Sequence, residues 1–115
     1  MRITAPTLDV LEAFLQAHVR GVELHGWAIA KTTKRSGPTV YGVLDRLEDA
    51  GWIEGTWEEQ DQQASRPRRR LYRLSGRGIA HARALVADRR PQALRAIPGL
   101  GFLLVVYVSL VGSIR

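Results

Sequence analysis

Apolar residues recur through the first half of the chain at three- and four-residue steps, a spacing that predicts helices. Leu8, Leu11, Leu15 and Val19, with Phe14 beside them, mark a first helix from Pro6 or Thr7 to about Val19. Pro6 suits a first turn, where its missing N–H costs little, and Arg20-Gly21 closes the helix. Trp27, Ile29 and Ala30 give one apolar side to a second helix over Gly26–Lys34, whose end is basic through Lys31, Lys34 and Arg35. After a short turn at Arg35-Ser36-Gly37, the residues Val40, Val43, Leu44, Leu47 and Ala50 predict a third helix with one buried stripe. Ser36 is its expected N-cap, Pro38 sits in its first turn and Gly51 ends it.

The period then changes. Ile53 and Trp57 share one side at strand spacing, a polar loop covers Glu59–Pro67, and Arg68–Leu74 reads as a second strand with Tyr72 and Leu74 facing one way. Ser75 can cap a fourth helix whose apolar line is Ile79, Ala82, Leu85 and Val86, interrupted at Pro91. Helix, helix, short turn, helix, hairpin, helix predicts a mainly α fold with a small β-hairpin wing: a winged helix-turn-helix over residues 1–74, a C-terminal helix over 75–90 and a helical or apolar tail over 91–115.

Composition narrows what such a fold can do. With 115 residues the chain is the size of one domain, and with no cysteine it excludes disulfide frameworks, zinc knuckles and thiol nucleophiles. The segment Met1–Pro6 has no apolar signal-peptide core, so a cytoplasmic location is expected. His18, His25 and His81 lie on separate elements without metal-ligand spacing, and there is no nucleophile motif or phosphate-binding glycine loop. No enzyme, cofactor or metal site is expected.

The net charge of +6 favours a polyanionic partner, double-stranded DNA above all, and its distribution sharpens this. From Asp45 to Asp61 the chain is acidic except for Arg46; from Arg66 to Arg90 it is basic except for Asp88. In helix-turn-helix proteins the second helix of the motif enters the major groove by its first turns. Those turns carry Ser36, Thr39 and Tyr41, with Tyr41 either on DNA or half-buried beside the Val40–Leu44 stripe. Lys31, Lys34 and Arg35 are placed for phosphates, and Arg66, Arg68, Arg69 and Arg70 supply a basic wing. Asp45 and Asp49 repel phosphates, which confines groove entry to the first half of the helix; Arg46 is expected to pair with Asp49 or with the first helix. The acidic stretch also supports a rival reading, a winged helix that binds proteins and not DNA.

Three segments resemble the PadR family of bacterial transcriptional regulators. Glu23–Ala30 is similar to the family's "LHGYEIA" run, Ser36–Ile53 to its "S.GTVYPLLRRLEEAGLV" run, and Arg66–Gly78 to its "RPRRYYRLTEAG" wing. The resemblance spans about residues 6–87. It implies a homodimeric repressor on a palindromic operator, dimerised mainly through a C-terminal helix, with a small hydrophobic effector in some members. It places the family's recognition-helix tyrosine on Tyr41 and its basic wing on Arg68, Arg69 and Arg70. Gly42 departs from the usual proline, and Leu71 from an aromatic. Trp27, Trp52 and Trp57 all lie in the winged-helix part, where core packing is their expected use.

The tail leaves two readings open. Residues 96–114 carry no charge, and Leu100–Val111 is almost wholly apolar, close to the roughly 20 residues of a spanning helix. Arg89, Arg90 and Arg95 precede it and only Arg115 follows, which would hold the DNA-binding part at the inner face of the cell membrane. The alternative is a tail that packs against its copy in an oligomer.

Overall fold

A computed structural model describes residues 1–59 and 65–97. Helix α1 (Ala5–Arg20) starts slightly earlier than its apolar spacing suggests, because Thr4 caps it: the Thr4 hydroxyl accepts the Thr7 N–H at 3.3 Å. Gly21, at φ +68°, ends it with a left-handed residue whose N–H returns to Ala17 and His18. The remaining elements are β1 (Leu24–His25), α2 (Gly26–Thr33), α3 (Gly37–Asp49), β2 (Ile53–Trp57), β3 (Arg70–Leu74), α4 (Gly76–Arg89) and α5 (Pro91–Arg95).

The expected hairpin is part of a three-stranded antiparallel sheet in the order β1-β3-β2. Ile53 pairs with Leu74 and Trp57 with Arg70, while Leu24 and His25 pair with Tyr72 and Leu71 on the other edge of β3. A two-residue strand has no periodicity, which is why β1 is invisible to hydrophobic spacing. Strand β3 starts at Arg70, two residues later than its polar-to-apolar change suggests.

One core joins these elements. Val10, Leu11, Phe14 and Leu15 of α1 meet Ile29 of α2, the stripe Val40, Val43, Leu44 and Leu47 of α3, and Ile53, Tyr72 and Leu74 of the sheet. Ala82 and Val86 bring α4 onto the same core. At the base of the wing, α4 lies against the β2 root so closely that a Cβ on Gly78 would stand 1.7 Å from the Trp52 carbonyl oxygen. The first turn of α4 is capped by Ser75, whose hydroxyl accepts the Gly78 N–H and donates to the Gly51 carbonyl.

Two sequence readings need correction. Of the three tryptophans only Trp52 is in the core, stacked on His81 with centroids 4.5 Å apart. Trp27 and Trp57 are 63% and 57% exposed. Trp57 shares the side of Ile53, but four residues of strand carry it about 13 Å along, past the edge of the core. Trp27 opens α2 and stacks on His25 instead.

The second correction concerns the chain after Pro91. It continues as α5, and Leu94 and Ile97 are buried in the main core, so residues 91–97 pack with the winged helix. From residue 98 onward the apolar stretch lies outside the described residues. Among the described residues no helix is long and apolar enough to cross a membrane.

Candidate nucleic-acid interface

The turn between α2 and α3 sets the position of the recognition helix. Lys34 caps α2 in the left-handed conformation at φ 58°, the only non-glycine residue with positive φ among those described, and its N–H returns to Ala30. Ser36 then caps α3: its hydroxyl accepts the Thr39 N–H at 3.4 Å and donates to the Thr39 hydroxyl oxygen at 2.9 Å. This lock leaves the Thr39 hydroxyl proton free for an outside acceptor. Ser36, Pro38, Thr39 and Tyr41 are all exposed, so the first turn predicted to enter a groove is open to do so.

Tyr41 is half-exposed and rests on the start of α2: a Cβ on Gly26 would meet its ring at 2.6 Å. A side chain at position 26 would therefore displace the ring of Tyr41 from its present seat. Neither spacing nor charge signals that pairing.

The basic residues divide by partner. Lys31 lies over the Trp27 ring at 5.2 Å, and both Lys31 and Lys34 are exposed. Arg35 is tied back to α1, with its Nε 2.9 Å from Asp9, and Arg90 donates to the other oxygen of that carboxylate at 2.6 Å. Burial pushes the Asp9 carboxyl up, but the hydrogen bonds from Arg90 and Arg35 outweigh it and hold the group below its ordinary range. The structure thus joins Arg35 to the α4–α5 corner through Asp9.

In the wing, Glu58 gathers two arginines. Its carboxylate accepts Arg66 Nη1 at 2.5 Å and the Arg69 backbone N–H at 2.9 Å. Those hydrogen bonds, Arg66 first, bring the carboxyl down to about 2. Arg70 donates to Glu48 of α3 at 2.6 Å, and its guanidinium also lies over Trp57 and Tyr72. Arg68 forms no ion pair among the described residues and lies over the Trp57 ring at 5.7 Å.

His25 sits between α2 and the wing. Its Nδ1 accepts the Ala28 N–H at 3.2 Å and caps α2, while its Nε2 stands 3.0 Å from Arg69 Nη1. Burial and the Arg69 charge lower its pKa, so it favours the neutral form that can cap. Histidine is not among the residues favoured at an N-cap, so the sequence carries no signal for this role. His25, Trp27, Tyr41, Trp57 and the arginines 68–70 together line a groove of about 340 Å³ between α2, α3 and the wing.

Asp45, Arg46 and Asp49 are exposed on the later turns of α3. The expected pairing of Arg46 with Asp49 or with α1 is not formed among the described residues. No cluster of metal-ligating side chains occurs among them either.

The fold is shared with solved structures. The S. aureus MepR–DNA complex is 24% identical, with a TM-score of 0.58 over 98% of this chain and 82% of that one. A PadR family transcription regulator from Clostridium difficile R20291 is 23% identical, with a TM-score of 0.55 over 72% of this chain and 86% of that one. AF1382 from Archaeoglobus fulgidus, at 16% identity, covers 75% of this chain and 86% of its own with a TM-score of 0.60. These likenesses establish the winged-helix fold. No curated protein matches the sequence. The profile described as "Transcriptional regulator PadR-like family" matches residues 15–84, more than half of the chain. The chain belongs to the PadR-like family of transcriptional regulators.

Proposed function

We propose that the protein is a sequence-specific regulator that binds double-stranded DNA as a homodimer on a palindromic operator and acts as a repressor. The observation that carries this reading is the exposed first turn of α3, flanked by exposed lysines on one side and an arginine wing on the other. A helix start also offers free N–H groups and a partial positive charge to a phosphate. Ser36 and Thr39 face the base edges, and Tyr41 packs on the sugar–phosphate backbone. Lys31, Lys34 and Arg68 grip phosphates. Arg66, Arg69 and Arg70 shape the wing and offer their remaining N–H groups to the backbone, whereas Arg35 contributes mainly by fixing the turn. Residues 1–74 form the DNA-binding unit, and helix 75–90 brings two copies together.

Titration of the full chain against genomic DNA fragments over a salt series tests this. The contacts of Lys31, Lys34 and Arg68 alone, six in a dimer, give a slope of about −5 in log affinity against log salt, and contacts from the other wing arginines steepen it. Binding that is absent at low salt, with a partner protein captured instead, would overturn the DNA reading.

A further inference from the structure

We propose that Arg46 reads a guanine in the major groove, a role that rests on the DNA-binding reading above and for which Gly42 leaves room. Thr39, Gly42 and Arg46 follow one another along α3 at i, i+3 and i+7, so they share a line on the helix surface. Long helical side chains lean toward the helix N-terminus and cover the preceding turn. Arg46 does so: a Cβ built on Gly42 would lie 3.7 Å from Arg46 Nη1. The guanidinium is thereby level with residue 42, about 9 Å along the axis from the Ser36 cap, within the half of α3 that can enter the groove. A methyl group at position 42 would only touch the guanidinium, but a longer side chain there competes with it for the same surface.

The choice of a base over a phosphate follows from the neighbours. Asp45 and Asp49 are exposed beside Arg46 without pairing to it, and their charges disfavour a phosphate there. A guanine edge presents two acceptors, O6 and N7, that a planar guanidinium meets with two parallel N–H groups. Since Arg46 is exposed and forms no ion pair among the described residues, its removal should leave the fold intact.

The test is selection of bound duplexes from a randomised pool by the wild type, Arg46→Ala, Arg46→Lys and Gly42→Leu, each checked for an unchanged melting temperature. The wild type is expected to enrich a guanine at one position per half-site. Arg46→Ala should flatten that position alone and weaken binding to the consensus roughly 5- to 150-fold for each half-site, with the salt slope unchanged. Lysine, a point charge, should not restore the preference, and Gly42→Leu should flatten the same position with Arg46 still present. Uniform weakening across all sequences, with a slope smaller by about one per copy, would overturn the inference by making Arg46 a phosphate contact. So would an unchanged motif in Arg46→Ala, and that result would leave the regulator reading standing. A wild type that enriches no duplex would overturn both.

Discussion

Lys31 and Lys34 stand exposed on α2, whereas Arg66 and Arg69 of the wing share Glu58 and Arg70 is tied to Glu48. The difference follows from what holds each region together. Helices α2 and α3 are fixed by Ile29, Val40, Val43, Leu44 and Leu47 in the core, so the exposed Lys31 and Lys34 are not needed to hold them in place. Beyond Tyr72 and Leu74 the wing runs off the core, with Trp57 exposed at its end. Ion pairs and stacked guanidinium groups replace apolar burial there. A lysine of the first region should therefore serve binding alone, and an arginine of the second should serve binding and shape together.

The largest expected effect abolishes the comparison by removing the frame common to both regions. Gly78→Ala would drive a methyl group into the Trp52 carbonyl, 1.7 Å away. Backbone cannot yield as a flexible side chain does, so a loss of about 3 kcal/mol or more is expected, read as a fall in melting temperature. DNA binding should then fail on both sides at once. A melting temperature within a degree or two of wild type would show that α4 is not seated on the wing root.

The next effect separates the regions. Arg70→Ala removes the Glu48 pair and the guanidinium over Trp57 and Tyr72. The pair is one-third exposed, so screening keeps its contribution small, and with the lost packing of the arginine stem a modest fall in melting temperature is expected. Hydrogen exchange should rise locally in β2 and β3. Lys31→Ala should leave stability unchanged and reduce the salt slope by about 0.9 per copy. If Arg70→Ala behaves like Lys31→Ala, the wing arginines have no structural duty and the distinction falls.

Acid should loosen the wing before the recognition helix. The Glu58 carboxyl lies at about 2 in the folded chain against an ordinary 4.5. A carboxyl depressed by folding contributes stability that is complete above 4.5 and is lost as pH falls through about 2. Amide exchange in the wing, corrected for its intrinsic pH dependence and measured between those limits, should accelerate while the α3 amides hold. Simultaneous acceleration in both would place the acid-sensitive contact elsewhere.

Repeating apolar positions made α1, α3 and α4 legible in the sequence, because a helix must repeat its buried face. Features fixed by one close approach were not. Nothing in the sequence pairs Gly26 with Tyr41, marks His25 as a cap or marks Leu24–His25 as a strand, since each depends on residues brought together by the fold. The site was legible as a set of residue types and not as a set of partners. Arginines 66, 69 and 70 were readable as a basic wing, but their attachment to Glu58 and Glu48 depends on strand register and on the crossing of α3. Arg35 looked like Lys34 in sequence, yet one residue of turn points it at Asp9.

Lys34 offers the smallest and sharpest test, because stability and binding should move in opposite directions there. Its φ of 58° costs a non-glycine residue about 1–2 kcal/mol, and glycine removes that cost at an entropic penalty of about 0.5–1 kcal/mol. Lys34→Gly should therefore leave stability level or raise it by up to about 1.5 kcal/mol, seen in the melting temperature. The same change removes an exposed cation beside the recognition helix, so DNA affinity should fall and the salt slope should shrink. Lys34→Asn, which tolerates the left-handed region without carrying charge, should lose affinity alike. A gain in stability with a loss of binding would mean that strain at this turn is kept for the charge it presents. A loss of stability in both variants would instead give the Lys34 side chain a structural partner, and the two basic regions would then be built alike.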